Sequence, residues 1–137
     1  MSSHYDQVTR YFHACSHESA EAIAACFCPE AVVYDNNHRP VRGAQAIGAF
    51  YVTVRDRWQG ASWHVDTFLD GPAAAASEWT MRAQVNGTTA MVRGSEHYEF
   101  EGDLIRQIRQ YWRFDPDTVA TGLIDYPYDA DSRFTRE

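Results

Sequence analysis

The chain has 137 residues, enough for one domain whose core buries roughly two-thirds of the unfolded surface. Its formal net charge is −7 and its basic residues are scattered, which argues against a nucleic-acid partner. No stretch approaches the roughly 20 apolar residues that span a bilayer, and the N-terminus lacks a leader pattern, so we expect a cytoplasmic protein without a membrane partner. An aromatic content of 14% favours a packed core around a lined cavity.

The N-terminal part of the sequence predicts two consecutive helices. Apolar residues recur at helical spacing from Tyr5 to Cys15. The pattern resumes after Ser19, a candidate helix cap, and continues until Pro29 stops it.

A short strand and a third helix follow. The run AVVY has strand character and ends at Asp35, a carboxylate directly after an apolar run. After a break at Gly43, one helical face is marked by Ile47, Phe50, Tyr51, Val54 and Trp58.

Four strand candidates occupy the second half of the chain. They are SWHVDTFLDG, AAAASEWTMRAQVNG, TTAMVRGSEHYEF and LIRQIRQYWRF, and turn signals separate them. The fold class is therefore α+β, with helices covering one face of an antiparallel sheet. We treat residues 1–137 as one domain in which residues 115–137 form an irregular tail.

The pair Asn86-Gly87 fixes the register of the central hairpin, because a type I′ turn needs positive φ at both loop positions. If these two residues form the loop, Val85 pairs with Thr88 and strand alternation follows. Glu96 then points to the apolar face of the sheet. A carboxylate at a strand end that is paired with an arginine, or solvated, is the alternative interpretation. The pocket residues predicted on the apolar face are Trp79, Met81, Val92, Tyr98, Ile108 and Trp112.

For the next turn we favour a three-residue loop, Glu101-Gly102-Asp103, because it directs the apolar residues of the last strand to the same face. This register also turns Arg106 and Gln110 inward. Arg106 is then a candidate partner for the buried acid.

The sequence predicts no metal site and no cofactor. Cys15, Cys26 and Cys28 lack the spacing of a zinc site and are expected to be buried thiols. His64 and Asp66 have the spacing of two facial-triad ligands, but no third ligand converges on them. The remaining histidines expected at the surface or the pocket rim are His4, His13, His17 and His38, of which the last is close to Asp35 in sequence.

The ordered residues resemble a known family. The stretch RYFHACSHESAEAIAACFCPEAVVYDNNHRPVRGAQAIGAFY, followed later by SEHYEF, resembles ketosteroid isomerase and the SnoaL-like polyketide cyclases of the nuclear transport factor 2-like superfamily. The similarity runs from about Tyr5 to Phe114. It implies a cone in which three helices pack on a curved mixed or antiparallel sheet and enclose a deep apolar pocket.

The resemblance also implies roles for four residues. Asp35 stands where the isomerase has its catalytic base, and Tyr11 where it has its oxyanion tyrosine. Glu96 stands where the isomerase has a protonated aspartic acid. Tyr51 stands where a second tyrosine supports the first. The implied reaction moves a proton on an apolar polycyclic substrate, either steroid-like or a polyketide.

Three possibilities therefore remain open: the isomerase-type reaction is the first, and epoxide opening or polyketide cyclisation with the same pair of carboxylates is the second. The run LIRQIRQYW resembles the last strand of the epoxide hydrolases of the same superfamily, in which a pair of carboxylates activates water and protonates the epoxide. Polyketide cyclisation would use Asp35 and Glu96 in a similar way. A non-catalytic ligand-binding module is the third possibility. We also expect a homodimer through the outer sheet face, which carries Arg82, Arg93, Glu99, Arg109 and Tyr111.

Overall fold

The computed structural model describes residues 3–118 and 121–135. Within these ranges, three α-helices span His4–His17 (α1), Ala20–Ala24 (α2) and Ala44–Arg57 (α3). The strands are Phe27–Asp35 (β1), Val41–Arg42 (β2), Ser62–Asp70 (β3), Ala74–Val85 (β4), Thr88–Glu101 (β5) and Leu104–Trp112 (β6). They form one sheet in the order β2-β1-β6-β5-β4-β3, in which β1 and β6 are parallel and the other neighbours are antiparallel. The α+β prediction is confirmed, and the curved sheet is mixed.

Helix α2 begins where the sequence indicates and ends earlier. The Ser19 hydroxyl accepts the backbone N–H of Ala22 at 3.2 Å, which confirms the predicted cap. The helix closes after five residues. Strand β1 already begins at Phe27, so the prediction that the helix runs to Pro29 is wrong. Phe27 pairs with β6 and its ring is buried, and this tertiary pairing overrides the local helical pattern.

Helix α3 lies very close to α2. A Cβ on Gly48 would stand 2.2 Å from the carbonyl oxygen of Ala20, so only glycine allows this approach. Ile47 and Tyr51 are buried on the predicted inner face of the helix. Tyr51 is thereby directed toward the concave side of the sheet.

The hairpin of β4 and β5 has the predicted register. Asn86 and Gly87 both have positive φ, 52° and 80°. Val85 pairs with Thr88, and Glu96 lies eight positions beyond Thr88 on the inner face, where it is 3% exposed. The prediction of an inward-facing Glu96 is confirmed.

The turn between β5 and β6 differs from the prediction. Glu101 pairs with Leu104, so the loop has two residues and not three. A register shift next to Glu99 then returns the later residues of β6 to the predicted faces of the sheet. Gln110 is buried as expected, but Arg106 lies on the outer face and pairs with Glu99. Arg106 is therefore not the partner of Glu96, because a β-bulge places one extra residue on β6.

The tail packs on the outer face of the sheet, away from the concave side. Thr121 donates its backbone N–H to the Met91 carbonyl at 3.1 Å. The guanidinium of Arg93 lies 4.0 Å from the ring centroid of Tyr128, and Phe134 is buried beside it. Part of the outer face that we expected at a dimer interface is thus covered by the chain itself.

The core fills the space between the helices and the concave side of the sheet. The three cysteines are buried and free, as predicted. Within residues 3–118 and 121–135, no helix is both long enough and apolar enough to cross a membrane.

Candidate active site

A cavity of about 300 Å³ lies between α3 and the concave side of the sheet. This volume is at the lower end of the roughly 300–1,000 Å³ that is typical of small-molecule sites. All four tryptophans of the chain line it: Trp58, Trp63, Trp79 and Trp112. The other lining residues are Asn37, His38, Phe50, Tyr51, Val54, Arg57, Met81, Val92, Glu96 and Gln110. The walls are thus mainly apolar, and tryptophan, phenylalanine and tyrosine supply six of the fourteen lining residues.

Glu96 is the acid on the cavity wall. Strand β5 carries it on the inner face, and its Oε1 accepts the hydroxyl proton of Tyr98 at 2.8 Å. Its Oε2 lies 3.3 Å from the hydroxyl of Tyr11. Burial raises the pKa of Glu96 to about 8, although the hydrogen bond that Tyr98 donates to it acts in the opposite direction. The protonated form of Glu96 is therefore favoured at pH 7.

Three tyrosines surround this acid. Tyr11 comes from α1 and Tyr51 from α3, and their hydroxyls are 2.9 Å apart. Tyr98 is fully buried and shares a 2.7 Å hydrogen bond with Ser77. Burial is the main cause that raises the pKa of all three tyrosines well above the usual value. They are neutral hydroxyl donors throughout the physiological range.

Asp35 lies at the end of β1 and is surrounded by N–H donors. Its Oδ1 accepts the backbone N–H of Asn37 at 2.6 Å. Its Oδ2 accepts the indole N–H of Trp112 at 2.7 Å and an amide N–H of Gln110. The Asp35 side chain has 0% exposure and lies behind Gln110, Trp112 and His38, which line the cavity. Three N–H donors compensate a negative charge at this position.

The His38 ring forms the wall of the cavity next to Asp35. Its Nδ1 lies 2.8 Å from the carbonyl oxygen of Arg39 and must donate to it. Its Nε2 is 3.3 Å from Oδ2 of Asp35. Because Nδ1 already carries a proton, this second contact is attractive only in the doubly protonated ring.

The structure brings the predicted catalytic residues together. Glu96, Tyr11 and Tyr51 form one hydrogen-bonded cluster, and Gln110 connects this cluster to Asp35. Of the predicted pocket residues, Trp79, Met81, Val92 and Trp112 line the cavity, whereas Tyr98 and Ile108 are fully buried in the core.

Sequence reasoning assigned no role to Gln110. It had placed this residue on the inner face, and a polar residue between Ile108 and Trp112 was the available signal. Trp58 and Trp63 were also missed as cavity residues. Trp58 was predicted only to lie on one face of the third helix. Trp63 lies near the start of a strand for which no turn signal determined the inward-facing side chains.

A family model described as a SnoaL-like domain matches residues 8–108. The chain belongs to the SnoaL-like domain family. No curated protein matches the chain.

Solved structures share the fold of this SnoaL-like protein. A protein of unknown function with a cystatin-like fold from Methylobium petroleophilum PM1 is 28% identical, with a TM-score of 0.71 over 97% of this chain and 90% of that one. A hypothetical protein with a ketosteroid isomerase-like fold from Catenulispora acidiphila DSM 44928, solved in complex with trimethylamine, is 14% identical, with a TM-score of 0.72 over 77% of this chain and 84% of that one. A putative SnoaL-like polyketide cyclase from Jannaschia sp. CCS1 is 10% identical, with a TM-score of 0.69 over 79% and 83%. The nuclear transport factor 2-like cone is therefore the fold of this chain.

Proposed function

We propose that this SnoaL-like protein is an acid/base enzyme that moves a proton on an apolar polycyclic small molecule, either steroid-like or a polyketide. One observation carries the proposal: Glu96, a buried acid with a raised pKa, lines an aromatic cavity and is connected through a series of hydrogen bonds to a second carboxyl group, Asp35, whose oxygens accept three N–H groups. Two carboxyl groups held in opposite protonation states supply a general acid and a general base at the same pH.

Each carboxyl group has a distinct role. Glu96 donates a hydrogen bond to the oxygen of the substrate, where negative charge develops as an enolate forms, while Tyr11, which is not among the cavity-lining residues, contacts Glu96 and not the substrate. Asp35 accepts the proton that leaves the adjacent carbon. Because the side chain of Asp35 has no exposed surface, we expect the substrate to displace the His38 ring as it enters.

The cavity favours a flat, ring-containing substrate. Trp58, Trp63, Trp79 and Trp112 offer ring faces and edges, which bind apolar rings by dispersion and by desolvation. Glu96 is the acidic group within this wall and would face an oxygen of the substrate.

Epoxide opening or polyketide cyclisation is the second candidate. The same observation favours it, since epoxide opening needs a protonated acid on the epoxide oxygen and a charged base on the attacking water. Glu96 would supply the acid and Asp35 the base. The two chemistries differ in the substrate and not in the residues.

Parallel assays test the proposal. We expect turnover of either a β,γ-unsaturated ketosteroid or an epoxide of similar size, and a loss of about 100-fold or more in Asp35→Asn and Glu96→Gln. Glu99→Gln is the matched control, because Glu99 lies on the same strand and pairs with arginines on the outer face. Equal rates in the wild type and both active-site variants would contradict the catalytic roles.

Binding without turnover would indicate a non-catalytic ligand-binding module. Ligand binding is measurable without a label, because every tryptophan of the chain lines the cavity and its fluorescence reports on ligands there.

We also propose a homodimer through the part of the outer sheet face that the tail leaves uncovered. This part carries Glu99, Arg106, Arg109 and Tyr111. The molar mass in solution tests it.

A further inference from the structure

A continuous series of hydrogen bonds joins the two carboxyl groups. From Glu96 it passes through the hydroxyls of Tyr11 and Tyr51, with oxygen separations of 3.3 and 2.9 Å. It continues over 3.0 Å to Oε1 of Gln110, whose amide nitrogen reaches Asp35. The five residues come from five different elements, so the completed tertiary fold assembles this series.

Counting protons fixes the direction of the bonds, beginning at Asp35. The Asp35 carboxylate already accepts N–H groups from Asn37 and Trp112 and can only accept. The NH₂ group of Gln110 must therefore face Asp35, and its carbonyl oxygen must face Tyr51. A carbonyl oxygen only accepts, so the single hydroxyl proton of Tyr51 is committed to Gln110.

The direction of the next two bonds, from Tyr51 through Tyr11 to Glu96, is set in the same way. Because the Tyr51 proton is committed, Tyr11 must be the donor in the bond between the two tyrosines. The single proton of Tyr11 is then directed away from Glu96. The contact between Tyr11 and Glu96 is completed only if the carboxyl group of Glu96 carries the proton and donates it.

We infer that Gln110 is a positioning residue that transmits the charge on Asp35 to Glu96 through the hydroxyls of Tyr51 and Tyr11. The inference rests on the proposed function for its role in turnover. While Asp35 is ionised, the tyrosine protons point away from Glu96, which discourages its ionisation and keeps its proton available.

The proposed reaction uses this coupling as follows. When the substrate C–H bond breaks, its proton binds Asp35 and its electron pair forms the enolate, whose oxygen takes the proton of Glu96. A neutral Asp35 no longer requires an N–H donor from Gln110, so the amide is free to turn. Tyr51 and Tyr11 then donate toward the new carboxylate of Glu96, which is stabilised as it forms.

Other groups also act on Glu96, and the test must separate them from Gln110. The titratable groups that face it from the surrounding elements are Tyr11 and Cys15 on α1, Tyr51 on α3, Tyr98 on β5 and Asp35 on β1. Arg57 and His38 line the same cavity. Asp35 also acts on Glu96 directly through space.

The experiment is a pH titration of Glu96 by ¹³C NMR in protein labelled at the glutamate carboxyl carbon, with the signal assigned by its loss in Glu96→Gln. Gln110→Leu removes the acceptor of Tyr51, so Tyr51 and Tyr11 are free to donate to the Glu96 carboxylate. We expect the pKa of Glu96 to fall by about one pH unit or more relative to the wild type. Tyr51→Phe frees Tyr11 in the same way and removes only one hydroxyl, so it carries the test if Gln110→Leu does not fold. An unchanged or raised pKa in the folded variants would overturn the inference.

Gln107→Leu is the matched control, because Gln107 lies on the same strand and its side chain contacts Arg109 on the outer face. It should leave the titration of Glu96 unchanged, and an equal fall there would contradict the role of Gln110.

A double-variant cycle separates the hydrogen-bond route from the through-space effect of Asp35. We expect Asp35→Asn to lower the pKa of Glu96 more in the wild-type background than in Gln110→Leu, because only the first retains the connecting series. Equal shifts would assign the coupling to the direct field and overturn the inference. No substrate is needed, so this outcome is independent of the activity assays that test the proposed function.

Discussion

At the scale of single residues, the raised pKa of Glu96 connects pH to the stability of the fold. The folded protein holds this proton up to about pH 8, whereas the unfolded chain releases it near pH 4.5. Between these values the unfolded state binds fewer protons, so the free energy of unfolding must fall as pH rises. We expect a loss of about 5 kcal/mol from this group across that range. The loss is complete only above the folded-state pKa.

Urea unfolding of the wild type and Glu96→Gln at pH 5, 6, 7 and 8 checks this expectation. Glutamine keeps an N–H donor and a carbonyl acceptor but does not ionise. The variant should gain stability relative to the wild type as pH rises, while Glu99→Gln should follow the wild type. Parallel pH dependence in the wild type and Glu96→Gln would show that Glu96 is already ionised in the folded state.

The sequence predicted Glu96 better than it predicted the environment of Asp35. Asn86-Gly87 determines the hairpin register, and strand alternation then leaves one orientation for Glu96. Asp35 stands at a strand end, where no local rule reports which elements will cover it. Its contacts with Gln110 and Trp112 span 75 and 77 positions in sequence, and only the parallel pairing of β1 with β6 creates them.

At the scale of elements, the bulge in β6 explains why the inward-facing residues beyond it were predicted correctly although the predicted length of the preceding loop was wrong. Side chains beyond the bulge point in the same directions in both cases. A three-residue loop has the same effect on them as a two-residue loop followed by one extra residue in the strand. Both direct Ile108, Gln110 and Trp112 inward. In side-chain direction they differ only at the residues between the loop and the bulge, and this is where the prediction for Arg106 failed.

The close approach of α2 and α3 makes Gly48 sensitive to substitution. Replacement by alanine would add about 1 kcal/mol of helix propensity, but the new methyl group would meet the carbonyl oxygen of Ala20 at 2.2 Å. Backbone cannot move aside as a flexible side chain does, so we expect Gly48→Ala to destabilise the protein by about 1–3 kcal/mol.

Thermal and urea unfolding measure this cost, with Ala49→Gly as the neighbouring control. Ala49 is exposed on the same helix, so its replacement should cost only the propensity term of about 1 kcal/mol. A Gly48→Ala variant at least as stable as the wild type would mean that the two helices are not held at this separation.

At the scale of the whole molecule, the tail was the least predictable part. Its apolar residues indicated that it packs somewhere, but residues 115–137 contain no periodic pattern that selects a face of the sheet. The outer face is selected by Arg93, whose guanidinium contacts the rings of Tyr128 and Phe134. The sequence around an arginine on the solvent-facing side of a strand does not predict that aromatic rings from a distant segment will cover it.

Because the tail covers the Arg93 region, the proposed dimer must use the rest of the outer face. There Tyr111 is 53% exposed with its ring edge near His97, and Glu99 and Arg109 form an ion pair beside it.

A two-fold axis places the same patch on both partners, so one change at Tyr111 acts twice. We expect light scattering to give twice the chain mass for the wild type and the mass of one chain for Tyr111→Asp. Leu69→Asp is the control, because Leu69 is 74% exposed on β3 at the edge of the sheet. A wild type that stays monomeric at high concentration, or a Leu69→Asp variant that dissociates equally, would contradict this interface.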